Sequence, residues 1–229
     1  MTGIVVITHV DGADVGLVAQ IAAERGHVLR IVRPYLGDEL PGLDELDAVV
    51  VMGGPQNAYD DLPYLRTEER YLAKAVEAEV PVLAICLGSQ LLARALGGSA
   101  APGGSGLEAG MIAVRPVDGT RDEVGGEFFS FHSDSVTPPE NAEILARSDR
   151  YPQAWVRGSA LAVQFHPEIT MDGVDALLAV EGPKLERFGV PVADLRRDAQ
   201  RYFSAGAGDS RRLLNRWFDS LPSSPTSRP

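Results

Sequence analysis

The sequence predicts an α/β fold built on an open, mostly parallel central sheet with helices on both faces. Short apolar runs rich in β-branched residues alternate with helix-periodic segments through the first half of the chain. Those runs are almost free of polar residues, as expected for strands covered on both sides. The links between them are short, which favours strand-helix-strand crossovers over separate layers.

Residues 4–7 (IVVI) form the first strand. Residues 14–25 place Val15, Val18, Ala19 and Ala22 at helical spacing, and Gly26 closes the helix. Strands follow at 27–32 and 47–52, the latter running into Gly53-Gly54-Pro55. Residues 63–79 form a helix with Pro63 in its first turn and Leu65, Leu72, Ala75 and Val76 facing inward. A strand at 80–85 meets a helix at 87–96, which Gly97-Gly98 stops. Residues 100–110 are rich in Gly, Pro and Ser and read as a loop. Short strands at 111–117, 127–131, 142–146, 153–156 and 160–165 read as an antiparallel or mixed half. Residues 172–221 are helical by pattern, and 222–229 (PSSPTSRP) read as a flexible tail. No repeat or boundary divides residues 1–221, which are expected to form one domain.

With 229 residues, the chain can bury a sizeable core. No stretch approaches the ~18 apolar residues of a membrane helix. The opening MTGIVVITHV lacks a basic segment and a cleavage site, so the cytoplasm is the expected location. A net charge of −11 repels phosphate backbones and argues against nucleic acid as a partner. Arg196, Arg197, Arg201, Arg211 and Arg212 are expected on solvated helix faces rather than in a binding patch. One cysteine and four histidines support neither a disulfide nor a zinc site, and no cofactor is expected.

Cys86 lies between an apolar strand and an amphipathic helix, in PVLAICLGSQLLARALGG. There it occupies the strand edge where open α/β sheets bind ligands, and the positive end of a helix that favours a negative sulfur. The turn exposes the side chain as a nucleophile elbow does, with the Leu87 N–H as an oxyanion donor. A buried structural cysteine is the competing reading. His166 and Glu168 are two residues apart in an extended segment, so both project to one side. A carboxylate on one imidazole nitrogen fixes the ring and leaves the other as a base. Gly53-Gly54 can turn main-chain N–H groups into the same site, while no phosphate-binding glycine pattern accompanies it.

Taken together, MGGP at 52–55, CLGSQ at 86–90 and QFHPE at 164–168 resemble a class I, triad-type glutamine amidotransferase. Cys86 and His166 stand 80 residues apart, a spacing specific to that family. The likeness spans roughly residues 3 to 170 and is greatest to a stand-alone branch similar to the glutaminase half of GMP synthase, which includes plant γ-glutamyl peptidases. The resemblance implies a flavodoxin-like sheet with Cys86, His166 and Glu168 as catalytic residues and the N–H groups of Gly54 and Leu87 as the oxyanion hole. It implies substrate contacts at Gly53, Gln90, His132, Ser133 and Asp134, and a Glu-x-Gly element at Glu108. Ser133 and Ala84 stand where the family commonly has glycine. The implied reaction hydrolyses glutamine through a γ-glutamyl thioester and passes ammonia to an acceptor; an ammonia-accepting synthase is the expected partner. The alternative is a γ-glutamyl peptidase using the same triad. A degenerate, non-enzymatic binding module is disfavoured because all three triad positions are filled. His9 is expected to line the pocket, and His27 to be structural.

Overall fold

A computed structural model describes residues 3–11, 15–117 and 124–222. Strands β1 (Gly3–Ile7), β2 (Leu29–Val32), β3 (Leu46–Val51) and β4 (Val82–Ile85) alternate with helices α1 (Gly16–Glu24), α2 (Pro63–Glu77) and α3 (Leu87–Ala95). Strands β5 (Ser99–Pro102), β6 (Glu108–Pro116), β7 (Gly126–His132), β8 (Asp134–Thr137), β9 (Glu143–Arg147), β10 (Pro152–Arg157) and β11 (Ala160–Val163) follow. Helices α4 (Met171–Arg187), α5 (Val192–Ser204) and α6 (Gly208–Asp219) complete the order.

Nine strands form one mixed sheet, ordered β2-β1-β3-β4-β11-β10-β9-β6-β7. The first five are parallel and the rest antiparallel. Strand alternation sorts the apolar residues into two layers. Ile4 and Val6 of β1 pack with Val18 and Ile21 of α1 and Leu214 and Trp217 of α6. Val5 and Ile7 face the other way, toward Leu65 and Leu72 of α2 and Leu91 and Leu92 of α3. Each fully buried Val, Leu or Ile contributes about 1.5–3 kcal/mol, so an unbroken apolar strand is stabilised on both faces. A third cluster seats α4 and α5 on the β6–β7 ribbon through Phe129, Val174, Leu178 and Leu185.

Two sequence expectations need correction, and the helical C-terminal stretch needs only its breaks located. The 100–110 segment is not all loop: Ser99–Pro102 pairs antiparallel with β8 from Ser99↔Thr137 to Pro102↔Asp134, and β6 already begins at Glu108. This ribbon is short, polar and carries a proline, so its strands are set by each other rather than by an apolar pattern. The final helical stretch is three helices, broken around Gly189–Pro191 and Ala205–Ala207. The strand before His166 stops at Val163, after which the chain bridges to β7. Asp14, the first residue of the expected first helix, and all of the expected tail except Pro222 lie outside the described residues.

Arg196, Arg197, Arg201, Arg211 and Arg212 are ion-paired, to Asp175, Asp194, Asp198, Glu24 and Asp209 respectively. No described helix is long and apolar enough to cross a membrane.

The crossing of α3 over β3 depends on Gly88, where a Cβ would collide with the Val51 carbonyl oxygen. Gly88→Ala is therefore expected to destabilise the fold by about 1–3 kcal/mol, outweighing a helix-propensity gain of at most about 1 kcal/mol. A lowered urea midpoint is the expected reading. A variant as stable as the parent would show that α3 has room to shift.

Candidate active site

Four neighbouring parallel strands bring their C-terminal ends to one edge of the sheet. From them come His9, the Gly53-Gly54 loop, Cys86 and the His166–Glu168 segment. Cys86 has φ 52° and ψ −107°, and α3 starts at the next residue. A side-chain-bearing residue rarely takes positive φ, so the surroundings must hold it there. They do so at both ends of the residue: its N–H donates to the Val163 carbonyl (2.9 Å) and its carbonyl accepts from the Gln90 N–H (3.1 Å). The thiol therefore sits against the first turn of α3, whose leading N–H groups have no intrahelical acceptor.

His166 reaches the same point from the other side. Its N–H donates to the Phe129 carbonyl at 2.8 Å, while Phe165 stacks on Phe128 with centroids 4.0 Å apart. Its Nδ1 pairs with Glu168 Oε1 at 2.8 Å, which leaves Nε2 as the nitrogen available to Cys86, whose charge acts on the ring. Glu168 is 5% exposed, and its carbonyl accepts the Leu17 N–H at the start of α1 (2.8 Å). Burial alone would lower the imidazole's proton affinity. The charges of Glu168 and then Cys86, with their hydrogen bonds, outweigh it and hold His166 well above the ordinary histidine value.

Close approach explains the glycine pair. A Cβ on Gly53 would lie 2.9 Å from His166 Cε1 and 3.4 Å from Cys86 Cβ. One on Gly54 would lie 2.6 Å from His9 Cβ and 2.9 Å from Leu87 Cδ2. The loop thus lies flat across the cysteine and histidine, as no larger residue could.

A cavity of about 580 Å³ opens above Cys86. Gly54, Leu87, Gln90, His132, Ser133 and Asp134 all line it, together with Gln56, Leu107 and Phe131. His132 offers it little chemistry: Nδ1 donates to the Asp134 carbonyl (2.8 Å) and Nε2 meets Glu108 Oε2 (3.2 Å). Glu108 also accepts from Ser148 (2.8 Å) and Gln153 (2.6 Å), so it anchors a buried network beneath the pocket wall. Burial raises the Asp134 carboxyl against a hydrogen bond from Tyr59. Among the described residues no group of His, Cys, Asp and Glu could hold a metal ion.

The sequence profile of glutamine amidotransferase class-I matches residues 15–179. The chain belongs to the class I glutamine amidotransferase family. It is 30% identical over 210 residues to the glutamine amidotransferase-like protein YfeJ of Salmonella typhimurium, covering 83% of this chain and 87% of YfeJ. It is 33% identical over 162 residues to the glutamine-hydrolyzing GMP synthase of Thermus thermophilus, covering 66% of this chain and 31% of that larger protein. The crystal structure of a glutamine amidotransferase from Thermotoga maritima superposes with a TM-score of 0.87 at 29% identity, over 96% of this chain and 99% of that one.

Three features of this amidotransferase site escaped sequence reasoning. Glu181, Lys184, Leu185 and Phe188 of the α4 region form one cavity wall, and only the packing of α4 on the β6–β7 ribbon brings them there. Tyr59 reaches Asp134 from the loop after Pro55. His9 does not line the cavity as expected: it is 1% exposed and pairs with the equally buried Glu68. Glu68 had a visible signal, because it interrupts the apolar stripe of α2 between Leu65 and Leu72.

Glu168→Gln is expected to lower the His166 titration midpoint, read by NMR from its Cε1 proton. The stability contribution of a raised histidine is complete below the unfolded value of about 6.5 and is lost as pH rises through the folded value. In the variant that alkaline loss should be smaller and should finish at a lower pH in urea unfolding. An unchanged midpoint would show that Glu168 is not the charge partner of His166.

Proposed function

We propose that the chain hydrolyses the side-chain amide of glutamine through a γ-glutamyl thioester on Cys86, releasing glutamate and passing ammonia to a separate acceptor enzyme. The observation that carries this reading is the Cys86–His166–Glu168 relay, whose cysteine lines the cavity and is held at positive φ on the α3 N-terminus.

His166 Nε2, having already taken the thiol proton, holds it while Sγ attacks the amide carbon. The carbonyl oxygen becomes negative and is held by the N–H groups of Leu87 and Gly54, an arrangement in which one donor is worth about 10²–10³ in rate. The tetrahedral species collapses, the C–N bond breaks, and His166 returns its proton to the leaving ammonia. Water, deprotonated by the same nitrogen, then attacks the thioester and frees glutamate and the thiol. Glu168 keeps Nδ1 engaged throughout, so Nε2 stays the working atom. Gln90, Ser133 and Asp134 line the space that holds the amino-acid end of the substrate.

A second reading, γ-glutamyl peptidase activity, is favoured by the size of the cavity. About 580 Å³ falls within the roughly 300–1,000 Å³ of pockets that enclose drug-sized ligands, which exceeds the needs of glutamine. Phe188, 78% exposed at the rim, offers an apolar surface to a bulkier amine.

Steady-state release of glutamate tests the proposal. Glutamine should be turned over by the parent chain, and Cys86→Ser should lower kcat by about 10⁴-fold or more. Turnover of γ-glutamyl peptides with kcat/KM far above that of glutamine would select the second reading. Equal activity of Cys86→Ser and the parent on every γ-glutamyl amide would overturn both.

A further inference from the structure

His9 and Glu68 have side chains with no solvent exposure, and their Nε2–Oε2 contact is 2.8 Å. Removing an imidazole and a carboxylate from water is costly, and such a pair is seldom retained for stability alone. The other ring nitrogen of His9 shows what the pair does. Its Nδ1 lies 3.2 Å from the Gly53 carbonyl oxygen. A carbonyl oxygen can only accept, so Nδ1 donates to Gly53 and Nε2 shares its hydrogen bond with Glu68.

The Gly53–Gly54 peptide is trans, like every described peptide bond. In a trans peptide the C=O and the following N–H point in opposite directions. Anchoring the Gly53 oxygen on the His9 side therefore turns the Gly54 N–H to the opposite side, where Gly54 lines the cavity with Cys86 and Leu87. Among the described residues no acceptor engages that N–H. A peptide between two glycines has little side-chain resistance to rotation, so its orientation needs an external anchor. Gln56 completes the clasp by donating from Nε2 to the His9 carbonyl at 3.0 Å.

We propose that His9 and Glu68 are a positioning pair that locks the Gly53–Gly54 peptide with its N–H aimed at the substrate oxygen. The proposal rests on the thioester reading above. Glu68 on α2 orients the His9 ring, His9 holds the Gly53 carbonyl, and the peptide plane carries the orientation to the site. Neither side chain touches substrate.

The test compares four chains: the parent, Glu68→Gln, and this change combined with His9→Phe or His9→Asn. Phenylalanine keeps a ring but removes both ring nitrogens, whereas an asparagine amide can replace Nδ1 toward Gly53. Glutamine turnover separates kcat from KM, and iodoacetamide alkylation reads Cys86 reactivity in a step that forms no oxyanion. The phenylalanine variant is expected to lose about 10²-fold in kcat, the scale of one oxyanion donor, with KM within about threefold. Asparagine should recover at least about tenfold, and all four chains should alkylate within about twofold of one another. Should the phenylalanine variant fail to fold, Glu68→Gln alone must still lower kcat without slowing alkylation. Unchanged kcat, no recovery by asparagine, or alkylation falling in step with turnover would overturn the positioning role alone. A parent chain inert toward every γ-glutamyl amide would instead overturn the thioester reading, and this proposal with it.

Discussion

At Cys86 the chain leaves β4 and enters α3 through a left-handed backbone conformation that costs on the order of 1–3 kcal/mol for a residue with a side chain. The conformation persists because its neighbours leave no alternative. β4 is clamped between β3 and β11, the Cys86 N–H is bound to Val163, and α3 is pressed so closely on Val51 that only glycine fits at residue 88. The two apolar layers meet the cost of this turn. The turn in turn places the sulfur on the helix N-terminus, opposite His166 and beneath Gly53, and every other feature of the site is arranged around that point.

Polar groups around the site follow one pattern. Each of the three buried or part-buried histidines at this edge is paired with a glutamate: His166 with Glu168, His132 with Glu108 and His9 with Glu68. Only the first pair reaches Cys86. The second braces a pocket wall, and the third lies behind the glycine loop. His27, the remaining histidine, instead packs near Phe218 with centroids 5.6 Å apart, away from the edge. Buried ion pairs add little to net stability. Their use here is geometric, since each fixes a ring so that its other nitrogen meets one defined partner.

The parallel half of the fold was legible because its strands are buried on both faces, and IVVI, AVVV and VLAI can scarcely be anything else. The cysteine, histidine and glutamate were legible because local geometry juxtaposes them: a strand-helix junction for one, and an i, i+2 relation across Pro167 for the others. What sequence could not reveal depends on distant packing. The β5–β8 ribbon has no apolar alternation to mark it, and the α4 cavity wall exists only because Leu178 and Leu185 dock on Phe129. His9 stood out as a histidine at a strand end. Its partner lies 59 residues away on the inner face of another helix, so the sequence placed it in the pocket rather than behind it.

The claim on which the account rests is that Cys86 is the atom that meets the γ-glutamyl carbon. The most direct measurement is covalent labelling with a glutamine analogue carrying a diazoketone in place of the side-chain amide, followed by peptide mass spectrometry. The account predicts one label per chain, on Cys86, with glutamine protecting against it and His166→Asn slowing it. Labelling at another residue, or at Cys86 with no protection by glutamine or any γ-glutamyl amide, would contradict it.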